Sequence, residues 1–325
     1  MAKRIQFSRN GGPEVLELVD FEPEEPQADE VRVKNHAIGL NFIDIYFRTG
    51  LYPTPSLPSG LGTDGAGVVD AVGENVTHLE PGDRVAYAQG PLGAYAELHT
   101  LPAEKVVKLP KGVEFETAAG GMLKGLTAQY LLRQTYPLRG GETILFHAAA
   151  GGVGSIACQW AKALGVKLIG TVSTREKAEK AKQNGAWAVI NYSEEDVVER
   201  VRELTDGEMC DVVYDGVGKD TWETSLDCLK PRSLLVSFGN ASGSVEGIDL
   251  AILNQKGSLF VTRPSINGYA DTRERLERMS QDLFEMLESG KVKIDIGQRY
   301  SLGEAGKAQE ALANRRTTGS TILIP

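Results

Sequence analysis

Residues 148–154, Ala148-Ala149-Ala150-Gly151-Gly152-Val153-Gly154, form a glycine-rich turn directly after an apolar run and directly before a helix-forming stretch. Glycines at such a junction let the backbone turn sharply and approach a ligand closely. The helix that follows adds unpaired N–H groups and a partial positive charge at its first turn. A dinucleotide pyrophosphate is the ligand this geometry suits. The letters read A-x-x-G-x-x-G, with Ala148 in place of the first glycine of the usual fingerprint. A glycine turn that binds nothing has the same spelling, so the flanking elements carry the distinction.

Those elements alternate. Apolar runs at 142–147, 167–172, 188–192, 211–215, 233–238 and 258–262 are separated by helical stretches, among them 154–164, 174–184, 194–204 and 221–229. Six strands with helical crossovers describe a doubly wound parallel sheet of order 3-2-1-4-5-6. Before about Lys124 the rhythm differs: short alternating runs at 31–35, 67–73, 84–87 and 105–109 are broken by turn signals such as Pro81-Gly82 and Asn10-Gly11-Gly12-Pro13. This predicts a β-rich, barrel-like unit. An amphipathic helix at 272–287 and short strands beyond it are expected to fold back onto that unit. A length of 325 residues allows two domains, here 1–125 with 267–325, and 126–266.

The end of the second strand selects the dinucleotide. NAD sites usually hold an acid about 20 residues past the glycines, where it accepts hydrogen bonds from the ribose 2′-hydroxyl. Here the text is Thr171-Val172-Ser173-Thr174-Arg175, without an acid. Ser173, Lys177 one helical turn on, and Tyr192 at the end of the neighbouring third strand offer a hydroxyl, an ammonium and a phenol to a 2′-phosphate. The expected cofactor is NADPH. A net charge of −9 and the lack of a basic run argue against nucleic acid or an anionic membrane as partner. No apolar run approaches the roughly 18 residues of a membrane span, and no apolar stretch follows the charged N-terminus. Cys158, Cys210 and Cys228 are widely spaced and read as reduced core thiols, so the expected location is the cytoplasm.

Several longer motifs carry a family resemblance: Gly11-Gly12-Pro13-Glu14-Val15, the stretch from Asn41 through Asp44, Tyr46, Arg48, Gly50 and Tyr52 to Pro53, Gly62-Thr63-Asp64-Gly65-Ala66-Gly67, Pro81-Gly82-Asp83-Arg84-Val85 and Thr262-Arg263-Pro264. Together they resemble the zeta-crystallin-like quinone oxidoreductases, a zinc-free branch of the medium-chain dehydrogenase/reductases, over the whole chain. The resemblance implies a GroES-like catalytic domain, a Rossmann domain, and NADPH in the cleft between them. It implies that Asn41 and Thr127 lie near the nicotinamide, that Ala150, Gly151, Gly152 and Val153 meet the pyrophosphate, and that Phe238, Gly239, Val261 and Arg263 line the cofactor from the later strands. Tyr46 and Tyr52 would face the acceptor. Zinc-dependent relatives carry a Cys near position 41, Gly-His-Glu near 62 and a four-cysteine lobe; this chain has Asn41, Thr63 and Asp64 and no cysteine before Cys158. No metal is expected, Asp64 reads as a structural residue, and His36, His78, His99 and His147 as ordinary strand or loop residues.

The implied reaction is metal-free reduction of a quinone, with the Asn41 amide and the Tyr46 or Tyr52 hydroxyl as donors to the acceptor oxygen. Conjugated enones or enals are the alternative acceptors. A dinucleotide-binding regulatory or RNA-binding protein is the alternative of another class. The last strand, 258–263, is an apolar sheet edge at Leu259-Phe260-Val261, which predicts a homodimer through this strand unless helix 272–287 covers it.

Overall fold

The computed structural model describes all residues from Met1 to Pro325. They form two compact units, one of Thr127–Tyr269 with Ser289–Lys293, the other of Met1–Leu126, Ala270–Glu288 and Ile294–Pro325.

The first of these holds the alternating stretches. Its strands are β1 (Thr143–Phe146), β2 (Lys167–Val172), β3 (Ala188–Asn191), β4 (Cys210–Asp215), β5 (Leu229–Ser237) and β6 (Phe260–Thr262). They pair in the order β3-β2-β1-β4-β5-β6, parallel throughout, as the crossover rhythm predicts. A parallel sheet is covered on both faces, which is why its strands are nearly continuous apolar runs. Leu145, Ile169, Ile190, Val213 and Leu235 are wholly buried. Crossovers include α1 (Gly152–Leu164), α2 (Arg175–Gln183) and α3 (Val197–Leu204). Thr174 and Asp196 cap α2 and α3, their side chains accepting from the N–H groups of Lys177 and Glu199. The helix expected at 221–229 is shorter, α4 (Trp222–Asp227), because Leu229 already pairs with Cys210.

The other unit is β-rich. Its long strand Glu30–Leu40 lies antiparallel to Gly65–Val72, to Leu98–Pro102 and, at its far end, to Ser320–Ile324. Ala2–Phe7 pairs with Glu17–Phe21 and Ser59–Gly60 in a separate sheet. Val31, Val33, Ile38, Leu40, Tyr87, Tyr95 and Leu323 form part of one core. Helix Arg273–Glu288 buries Leu276, Met279, Leu283 and Phe284 in this unit. In the edge strand of the parallel sheet, Phe260 is 62% exposed.

Two helices interrupt what the sequence presents as strands and turns. Phe42–Thr49 consists largely of strand-forming residues, yet Asp44 Oδ2 accepts the Asn41 N–H at its start (2.8 Å) and Gly50, at φ +82°, closes its end. Phe115–Tyr130 carries three glycines, which are poor helix formers. Their missing β-carbons leave room for Ile296 at Gly120, Ile294 at Gly121 and Leu283 at Gly125, each within 2.8 Å of where that carbon would stand. Capping outweighs local propensity in the first helix and tertiary packing in the second. No helix is long and apolar enough to cross a membrane, and all three cysteines are buried and unpaired.

Candidate active site

In a doubly wound sheet, ligands bind outside the carboxyl ends of the strands, where the strand order reverses. Here that point lies between β1 and β4. The residues assigned to the dinucleotide follow these ends: Ala150–Val153 after β1, Ser173 and Lys177 after β2, Tyr192 after β3, Phe238 and Gly239 after β5, Arg263 after β6. Val261 is the exception, within β6 and 38% exposed, and Thr127 lies on helix Phe115–Tyr130. At the glycine turn, Ala148 adopts φ +56°, a left-handed conformation that costs a residue with a side chain roughly 1–2 kcal/mol. Gly151 N–H closes the turn on Ala148 O (2.9 Å), and Gly151 caps α1. A β-carbon on Gly154 would stand 2.5 Å from Ala148 O and 2.6 Å from Ala149 Cα, so this glycine lets α1 approach the turn.

The ends of β2 and β3 are tied together. Tyr192 N–H donates to Val172 O (3.1 Å) and Ser193 Oγ to Ser173 O (3.1 Å), while Lys177 sits in the first turn of α2. Glu194, two residues beyond Tyr192, is paired with Arg175 (3.2 Å). The three residues read from the sequence as a phosphate site therefore belong to one corner of the unit.

After β4 and β5 two loops interlock. Ala241 N–H donates to Gly216 O (3.2 Å) and Ser242 N–H to Val217 O (2.8 Å). A β-carbon on Gly239 would lie 2.3 Å from Gly216 O. The Arg263 guanidinium donates to Ser237 O (2.9 Å) and Gly239 O (3.1 Å), fixing the backbone of this loop from the end of β6. Asp215, at the end of β4, accepts from Val217 and Gly218 N–H on one oxygen and from Thr221 and Ser225 hydroxyls on the other. Ser225 also meets His147 Nε2, and Thr171 meets His147 Nδ1, each at 3.0 Å.

In the β-rich unit, Asn41 Nδ2 donates to Asp64 Oδ1 at 2.6 Å. An amide nitrogen carries two hydrogens, so one remains for a ligand. Lys124, buried on helix Phe115–Tyr130, donates to Leu40 O (3.2 Å), and Tyr95 donates to Asp44 Oδ2 (2.8 Å). Burial pushes the Asp44 carboxyl up to about 7, with the charge of Asp64 adding to the effect. Burial likewise raises Asp64 to about 6, against the pull of Lys124, whose own ammonium burial disfavours. Tyr46 and Tyr52 meet edge-to-face, 5.2 Å between ring centres, and the Tyr52 N–H donates to Tyr46 O (3.0 Å).

Two family models match: alcohol dehydrogenase GroES-like domain over residues 27–111, and zinc-binding dehydrogenase over residues 152–287. The chain is 68% identical to the quinone oxidoreductase of Pseudomonas aeruginosa, each covering 100% of the other. The chain belongs to the quinone oxidoreductase family. A crystal structure of Escherichia coli quinone oxidoreductase complexed with NADPH has a TM-score of 0.99 to this chain at 58% identity, covering 100% of both. The 2-haloacrylate reductase of a Burkholderia species is 43% identical, covering 100% of this chain and 99% of its own.

Zinc, implied by the name of the second family model, does not fit this member of the quinone oxidoreductase family. Around Asn41 the donor set is an amide and a carboxylate with an ammonium beside them, and the Lys124 charge opposes a second cation. No three His, Cys, Asp or Glu side chains are grouped to hold a metal ion. Asp64, expected from the sequence to be structural, is wholly buried and accepts the Asn41 amide. Sequence reasoning missed Lys124, a single lysine in an otherwise apolar stretch, and the His147 network; the Asp215-Gly216-Val217-Gly218 text was the available signal for the latter.

Proposed function

We propose that this chain reduces quinones with NADPH as the hydride donor. The observation that carries the reading is the acid-free end of β2, where Ser173, Lys177 and Tyr192 share one corner, in a fold whose Escherichia coli relative is complexed with NADPH. NADPH, when bound, supplies a hydride. Backbone N–H groups at Ala150, Gly152 and Val153 hold the pyrophosphate at the start of α1, and Gly151, whose own N–H closes the turn on Ala148 O, lets it approach the backbone. Phe238, Gly239 and Val261 line the cofactor, and Arg263 holds the backbone of Gly239 in place. Thr127 and the remaining Asn41 N–H serve the nicotinamide end, while the Tyr46 and Tyr52 hydroxyls donate to the acceptor oxygen as charge develops on it. Mixing the protein with NADPH and 1,4-benzoquinone should consume the NADPH absorbance band, with NADH a poorer donor. Failure to oxidise NADPH with any of a panel of 1,4-quinones would overturn the reading.

The kinship to 2-haloacrylate reductase favours conjugated carbonyl compounds as a second acceptor class, since they too delocalise charge onto oxygen when hydride adds. Faster turnover with a conjugated enone than with any quinone would select it. We also infer a cytoplasmic homodimer. Strand β6 is a sheet edge with Phe260 and Val261 exposed, and Leu250 is 74% exposed in the segment before it. The buried, unpaired thiols suit a reducing compartment, which cell fractionation tests.

A further inference from the structure

Behind the glycine turn a buried polar chain crosses the sheet, and chemistry fixes its direction. Asp215 is acceptor-only when ionised, so the Ser225 hydroxyl points at Oδ2 (2.6 Å). With its proton committed there, Ser225 accepts from His147, which makes Nε2 the protonated nitrogen of the imidazole. Nδ1 is then bare and accepts the Thr171 hydroxyl. The network thus assigns one neutral tautomer, and burial holds the ring uncharged against the pull of Asp215. Serine stands between histidine and aspartate, so His147 donates toward it instead of taking its proton. This is the reverse of nucleophile activation.

Each link is attached to backbone that borders the crevice. Thr171 O accepts the Ala149 N–H (3.0 Å), and His147 directly precedes left-handed Ala148. Asp215 Oδ1 holds the N–H groups of Val217 and Gly218, next to the Gly216–Gly239 contact. We propose that Thr171, His147, Ser225 and Asp215 are positioning residues that hold the turn after β1 and the loops after β4 and β5 in register for the pyrophosphate. This rests on the NADPH reading above. No link reaches Ser173, Lys177 or Tyr192, so the 2′-phosphate corner should be indifferent to it.

Titration calorimetry of wild type and Ser225→Ala with NADPH and with adenosine 2′-phosphate, which lacks the pyrophosphate, tests the proposal. The expected result is an NADPH Kd raised about tenfold, the loss of one buried hydrogen bond. The Kd for adenosine 2′-phosphate should be unmoved, and in turnover KM for NADPH should rise with kcat retained. Unchanged NADPH affinity in a folded Ser225→Ala, or an equal loss for both ligands, overturns it; the second would mean general loosening of the unit. A wild-type protein that binds no NADPH overturns the underlying reading and the proposal with it. Should Ser225→Ala fail to fold by circular dichroism, the near-isosteric Thr171→Val removes the donor at the other end and is read by the same outcomes.

Discussion

Asp44 and Asp64 keep two carboxyl groups wholly out of water, and pH makes that measurable. Raised to about 7 and about 6, they hold protons more tightly in the folded protein than in the unfolded chain, whose aspartates titrate near pH 3.9. Their contribution to stability is therefore most favourable at or below that pH. It declines as pH rises, by about 1.4 kcal/mol per pH unit for each group while only the unfolded form has ionised, and levels off above about 7. Asp44→Asn keeps an oxygen for the Asn41 N–H and the Tyr95 hydroxyl, so its Tm should gain on wild type between pH 5 and 8; a pH-independent difference in calorimetry would refute this. At the end of β2, Lys177→Ala should weaken NADPH by about 1.5–3 kcal/mol and leave NADH nearly unchanged, as measured by competitive binding. The acid-free end of β2, on which the reading of Ser173, Lys177 and Tyr192 rests, was legible because a missing acid shows in a few consecutive letters. Lys124 and His147 were not, since their partners lie on distant segments: Asp64 for one, Thr171, Asp215 and Ser225 for the other.

Among the elements, the parallel sheet was readable strand by strand, because full burial on both faces leaves runs of apolar letters that nothing else in a soluble chain requires. Helix Phe115–Tyr130 was hidden for the opposite reason. Its glycines at 120, 121 and 125 lower helix propensity locally, and the isoleucines and leucine that occupy their space come from residues 283–296. Gly154 has the same logic at shorter range, with backbone instead of side chain in the way. Gly154→Ala should lower stability by about 1–3 kcal/mol in denaturant melts and weaken NADPH with it, as α1 is driven off the turn. An unchanged melt would show that the helix can shift without cost.

For the molecule as a whole, the exposed edge of β6 makes assembly the first question. Light scattering on a sizing column should give a mass near 70 kDa, about twice the 35.1 kDa chain. Phe260→Asp should reduce it to the monomer mass; a dimer indifferent to that change would place the interface elsewhere. A second whole-chain property lies in strand Ser320–Ile324, which pairs Thr321 with Leu40, Ile322 with Gly39 and Leu323 with Ile38. The backbone leading into Asn41 is thus registered by residues near the opposite end of the sequence. During synthesis, at ~5–20 residues per second, the β-rich unit must wait on the order of tens of seconds for that strand. The parallel sheet meanwhile has all six of its strands translated. A growing chain would therefore carry a finished nucleotide fold and an unclosed partner, with Ile38 and Leu40 open to chaperones until the final strand arrives. Pulse proteolysis of chains stalled before Ser320 should spare the segment from Thr127 to Tyr269 and digest what precedes it.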